Sequence, residues 1–183
     1  MQRIENVNPA EATGKAKQLL TGVQAKLGIT PNLMKAMAQA PAALEAYLHF
    51  SGSLATGVLD AKFREQLAIA VAQANSCEYC LSAHTAIGGM VGLTAEELSA
   101  SRESHAADAK RNAGLQFAQK VVVQRGIIGD EDYAAVKNAG YSDAEIVEII
   151  GHVGLNIFTN YFNNIVKTDV DFPKVPVTLA HTA

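Results

Sequence analysis

Apolar positions recur three and four residues apart along this chain, and no run alternates convincingly at period two. That spacing predicts helices throughout and places the fold in the all-α class. Helix starts are marked by a capping residue followed by proline, or by a carboxylate able to return a hydrogen bond. Asn8-Pro9 with Glu11 predicts the first start, Thr30-Pro31 the second, Pro41 the third and Asp60 the fourth. In the fourth, AKFREQLAIAVAQA, the stretch from Leu67 to Val71 is apolar on every face and belongs in a core. Ser76 is the expected cap of a fifth helix starting at Cys77, and Thr94 with Glu97 forms a capping box for a short one. A long helix from about Ala106 to Arg125 follows, then one from about Asp130 to Asn138. The last runs from Ser142, boxed by Glu145, to about Val166. The final TDVDFPKVPVTLAHTA carries two prolines and is expected to lie extended over a neighbour or a second subunit.

An internal echo appears when Glu65 is set against Glu145, an offset of 80 residues. EQLAIAVAQANSCEYCLSAH then lies over EIVEIIGHVGLNIFTNYFNN, placing Cys77 on Ile157, Cys80 on Asn160 and His84 on Asn164. The expectation is one domain over 1–183, a helical bundle of two related half-units. Its motif core spans about 60–90 and its second half-unit about 106–167.

Composition narrows the function classes. With 183 residues and 49% hydrophobic side chains the chain can bury a sizeable interior. Charged residues make up 18% and the net charge is −3, which leaves no basic field for a nucleic acid backbone. No apolar run approaches the roughly 20 residues that cross a bilayer, and the first residues lack the pattern of a signal peptide. A cytoplasmic protein is expected, and in a reducing compartment a close cysteine pair reads as redox-active or metal-binding rather than as a permanent staple.

Both cysteines of the chain sit in NSCEYCLSAHTA, with His84 four residues after Cys80. At about 100° per helical residue, Cys77, Cys80 and His84 fall within roughly 60° of one another on one face. A helix start at Cys77 favours a thiolate there through unpaired backbone N–H groups and the helix dipole. His84, one turn beyond Cys80, favours Cys80 instead, by taking its proton or stabilising its thiolate. Glu65 is the acid of the preceding apolar helix and needs a partner if buried, such as an imidazole or a water reaching the thiols. Packed thiols and a zinc site completed by His84 with Glu65 or His152 are the competing readings. Tyr79 points away from the thiol face, and Asn160, Tyr161, Asn163 and Asn164 read as caps, packing or interface.

A glutamate twelve residues before C-x-x-C, with histidine four after the second cysteine, resembles the alkylhydroperoxidase D-like branch of the carboxymuconolactone decarboxylase family. REQLAIAVAQANSCEYCLSAH is similar to the family's core, and NIFTNYFNN resembles a late helix of its peroxidase-related members; the likeness spans about residues 30–166. It implies a helical repeat fold assembled into homo-oligomers, commonly trimers or hexamers built as dimers of trimers, and a peroxidase working without metal, haem or other cofactor. The resemblance makes Cys80 the peroxidatic thiol that becomes a sulfenic acid and Cys77 its disulfide partner, with His84 and Glu65 relaying the proton through water. The implied substrate is hydrogen peroxide or an organic hydroperoxide, and the implied partner an external dithiol reductant, a thioredoxin-like protein or lipoamide. Tyr79 stands where the best-studied peroxidases of the family have histidine, and the decarboxylase branch lacks the cysteine pair. A disulfide reductase or redox sensor on the same scaffold, or a non-enzymatic helical oligomer with structural or metal-bound cysteines, are the alternatives.

Overall fold

A computed structural model describes residues 1–177, and residues 178–183 of the C-terminal segment lie outside it. The described residues form nine α-helices and no strand. They are α1 (Gly14–Leu27), α2 (Asn32–Met37), α3 (Pro41–Leu54), α4 (Ala61–Ala74), α5 (Glu78–Met90), α6 (Ala95–Arg102), α7 (Ala109–Val123), α8 (Asp130–Asn138) and α9 (Asp143–Val166). None of them is long and apolar enough to cross a membrane.

Helix α4 is the hub, packed against α5, α6, α7 and α9. Its all-round apolarity is what such a position demands, and Leu67 through Val71 are all buried. Ile69 and Ala72 join a core shared with α1, α2, α3 and α5 that contains both cysteines. Phe63, Leu67, Ala70 and Val71 join a second core shared with α7, α8 and α9. The side of α4 that faces the first core therefore carries the α5 motif, and the other side anchors it to the second.

Local capping explains most boundaries. Asp60 Oδ1 accepts from the Phe63 N–H at 3.0 Å, and Thr94–Glu97 and Ser142–Glu145 form complete capping boxes. Asp108 caps α7, which fixes its start at Ala109 rather than near Ala106. Two expected starts are corrected. Asn8 does not open a helix: its Oδ1 accepts from the Ala10 N–H and its carbonyl from the Ala12 N–H, closing a turn. Gly14, at φ +55°, then redirects the chain into α1.

Ser76 is likewise not the cap of α5. It sits at φ +52°, with its N–H on the Gln73 carbonyl and the Cys77 N–H on the Ala72 carbonyl at 2.9 Å, the Schellman pattern that ends α4. Cys77 is the N-cap of α5, and its Sγ accepts from the Cys80 N–H at 3.3 Å. Across the stretch that echoes α4 and α5, α9 runs as one unbroken helix.

The described part of the C-terminal segment packs on its own chain. Asp171 accepts from the Asn32 N–H at 2.7 Å, Phe172 meets Tyr79 edge-on, and the Val175 N–H reaches Ser82.

Candidate active site

The corner between α4 and α5 is held by asparagines of α9. Asn160 Oδ1 accepts from Asn75 Nδ2 at 3.0 Å, and Asn164 Nδ2 donates to the Asn75 carbonyl at 2.9 Å. Asn75 belongs to the turn that delivers the cysteines, so the second core fixes where the dithiol stands.

Cys77 and Cys80 are joined as a disulfide, with Cα atoms 5.4 Å apart. Their surroundings differ: Cys77 is 0% exposed and capped into α5, whereas Cys80, at 3%, lines a cavity of about 270 Å³. Asn163 Nδ2 donates to Cys80 Sγ at 3.2 Å. His84 also lines this cavity, one turn along α5 from Cys80. Most of the remaining wall is apolar, with Ile29, Leu33 and Met34 from the N-terminal region, Ile87 and Met90 from α5, and Phe172 from the C-terminal segment.

Glu65 and His84 meet across α4 and α5. Glu65 Oε2 lies 2.8 Å from His84 Nδ1, and the two side chains are 18% and 25% exposed. Placing the ring proton on Nδ1, toward the carboxylate, leaves Nε2 as the ring's acceptor atom. Behind the pair lies a second, more polar chamber of about 160 Å³, whose wall includes Arg64, Glu65, His152 and Asn156. Tyr47, His84 and Thr159 line both chambers and form the partition between them.

Two neighbouring groups are held uncharged. Burial, followed by Arg64, pushes the His152 imidazole below the ordinary histidine range. Burial and then the Glu65 charge push the Tyr47 hydroxyl up to about 12, against a hydrogen bond with Ser51. Tyr79 is buried, its hydroxyl accepts from the Leu33 N–H at 3.1 Å, and burial raises its pKa well above the ordinary tyrosine range, so it stays protonated. It ties α5 to α2 and so shapes the cavity mouth. Its aromatic edge contact with Phe172 does the same for the C-terminal segment.

Of the four residues singled out in the sequence, Cys80 and His84 line the cavity, Cys77 is bonded to Cys80 without lining it, and Glu65 meets His84 from the polar chamber. Among the described residues no group of three or more His, Cys, Asp or Glu is placed to hold a metal ion. His152 lies beside Glu65 in the polar chamber, not on the thiols. Asn163, read from sequence as a cap, packing or interface residue, contacts the Cys80 sulfur instead. The signal was present: Asn156, Asn160 and Asn163 recur at helical spacing among the apolar residues of α9, and buried amides there require partners.

Residues 41–120 match the sequence profile of the Carboxymuconolactone decarboxylase family. A search of curated proteins finds no match to the chain. Among solved structures, an uncharacterised peroxidase-related protein with the alkylhydroperoxidase AhpD core from Ralstonia eutropha JMP134 superposes with a TM-score of 0.81 at 24% identity, covering 93% of this chain and 92% of that one. A peroxidase-related protein from Silicibacter sp. TM1040 gives 0.80 at 24% identity, with 92% and 91% covered. A cysteine-to-alanine variant of the debrominase Bmp8, in complex with 2,3,4-tribromopyrrole, gives 0.78 at 17% identity, with 92% and 91% covered. These likenesses show an alkylhydroperoxidase-like helical fold, within which residues 41–120 are similar to the carboxymuconolactone decarboxylase family.

Proposed function

We propose that the protein is a thiol peroxidase that reduces hydroperoxides through a Cys77–Cys80 dithiol–disulfide cycle. The observation that carries this reading is the asymmetry of the pair: Cys80 alone lines the cavity, beside His84, while Cys77 is sealed behind it within bonding reach. In the reduced protein His84 Nε2 takes the Cys80 thiol proton, and Glu65 supports the resulting imidazolium. The thiolate attacks the terminal oxygen of the hydroperoxide, the O–O bond breaks, and the alkoxide leaves with the proton returned by His84. Cys77 then attacks the sulfenic sulfur, a disulfide forms, and hydroxide departs as water with the Cys77 proton. An external dithiol, a thioredoxin-like protein or lipoamide, supplies two electrons and two protons to close the cycle. The working unit in this reading is a cytoplasmic homo-oligomer.

Burial of both sulfurs favours a small substrate over a folded protein disulfide, and so favours peroxidase over disulfide reductase or sensor; on the same ground it favours lipoamide over a thioredoxin-like protein as the reductant. The apolar wall favours an organic hydroperoxide over hydrogen peroxide. Hydroperoxide consumption with excess dithiol tests the reading. Wild type is expected to turn over repeatedly and Cys80→Ser not at all, while Cys77→Ser, oxidised by one equivalent of hydroperoxide with no dithiol present, stops at a sulfenic acid that a trapping reagent captures. A single oxidation without turnover in wild type, or unreactive thiols with stoichiometric zinc, would overturn it.

A further inference from the structure

We propose that Asn163 is a further catalytic residue, whose amide N–H holds the Cys80 thiolate while its carbonyl accepts the O–H of the hydroperoxide. The proposal rests on the peroxidase reading and adds to it the group that orients the substrate. Asn163 is 3% exposed, lines the cavity, and places Nδ2 3.2 Å from Cys80 Sγ. A hydrogen bond to that sulfur strengthens when the sulfur is charged, so it favours the thiolate over the thiol.

The other end of the same amide is unsatisfied. Asn163 Oδ1 is buried and has no hydrogen-bond partner among the described residues. A buried carbonyl without a donor is costly, and such exceptions call for a ligand or water to complete them. Its neighbours on the cavity wall are already engaged. The Thr159 hydroxyl donates to the Asn156 carbonyl at 3.0 Å, the Tyr79 hydroxyl accepts from Leu33, and Tyr47 is bonded to Ser51. The amide that donates to the sulfur therefore also carries a buried acceptor that no described residue satisfies, on a side chain that lines the cavity.

A hydroperoxide carries one donor, the hydrogen on its terminal oxygen, which is the atom the sulfur attacks. Held on Oδ1, that oxygen is presented to Cys80 by the same amide that holds the sulfur. As the S–O bond forms and the O–O bond breaks, this hydrogen stays on the transferred oxygen and becomes the sulfenic O–H. The departing alkoxide takes the proton that His84 removed from the thiol, so charge and atoms balance. The contacts of Asn160 and Asn164 with Asn75 hold this part of α9 in register with the thiol corner.

The test uses the reduced full chain carrying Cys77→Ser, in which serine keeps a capping side chain and Cys80 is the sole thiol. Thiolate absorbance against pH is measured with and without Asn163→Ala, and with Asn163→Asp as an isosteric second variant. Loss of the N–H is expected to raise the apparent thiol pKa by about 1 unit, about tenfold in thiolate at a given pH, and the aspartate more. At pH values where the thiolate is complete, rates with cumene hydroperoxide and with dithiodipyridine, which has no O–H or N–H, are compared. Asn163→Ala is expected to lose about tenfold more with the hydroperoxide than with the disulfide. An unshifted titration, or equal losses with both reagents, overturns the assignment of Asn163. If Cys77→Ser itself reacts with dithiodipyridine but not with hydroperoxide, the peroxidase reading fails and the carbonyl's role fails with it.

Discussion

Replacing Glu65 by glutamine makes one chemical change: the carboxylate 2.8 Å from His84 Nδ1 becomes a neutral amide of nearly the same shape. The two side chains are 18% and 25% exposed, so water screens part of their attraction and the full interior Coulomb energy overstates it. A hydrogen bond to a charged group contributes about 1.5–3 kcal/mol and a neutral one about 0.5–1.5 kcal/mol. The difference between the middles of these ranges, about 1.2 kcal/mol, acts at the step in which the ring carries the proton and corresponds to just under tenfold in rate. His84→Ala removes the base itself, for which a loss of about 10²–10⁴ is the ordinary range. The chain contains no tryptophan, so the assay is quenched flow: reduced protein is mixed with hydroperoxide, stopped with an alkylating reagent, and its free thiols counted by mass. Glu65→Gln at the wild-type rate would refute the claim that the carboxylate acts through the ring. A Glu65→Gln loss exceeding that of His84→Ala would refute it as well.

Three further outcomes are expected. At Gly114 an added Cβ would lie 2.6 Å from the tip of the Phe63 ring and collide with the Tyr141 hydroxyl. Gly114→Ala should therefore destabilise by about 1–3 kcal/mol, and a raised Tm would refute the close packing of α7 on α4. His152 is held neutral in the fold by burial and by Arg64, with Glu148 and Glu65 opposing and His84 reinforcing that effect. The unfolded chain then binds more protons than the folded one as pH falls below about 6.5, so this residue costs stability on the acid side. His152→Gln should show a shallower fall in Tm between about pH 7 and about pH 5, and a parallel fall would refute the account. Phe172→Ala removes a ring that meets Tyr79 at 5.8 Å between centroids and lines the cavity. It should raise KM for a bulky hydroperoxide more than it lowers kcat, and an unchanged KM would place the ring outside the substrate path.

Helix starts at Asp60, Thr94 and Ser142 were legible in the sequence because each depends on hydrogen bonds within four residues, and the start at Pro41 because proline's fixed φ and missing N–H suit the first helical position. Ser76 misled for the same local reason: serine is a good N-cap, but here the left-handed turn that ends α4 takes it first. Asn8 misled because its side chain closes a turn in place of a helix.

By itself the sequence determined the all-helical class, the buried character of α4, and the meeting of Cys77 with Cys80, because at a helix start the capping side chain folds back onto the residue three further on, whether Cys77 is the first helical residue or, as here, the N-cap. Only the tertiary structure decided which sulfur faces the cavity, that Asn163 reaches Cys80 from 83 residues away, and that Tyr47, His84 and Thr159 divide an apolar chamber from a polar one. Those facts depend on how α9 and the N-terminal helices close against α5, and such contacts between distant segments are fixed by packing rather than by any local pattern.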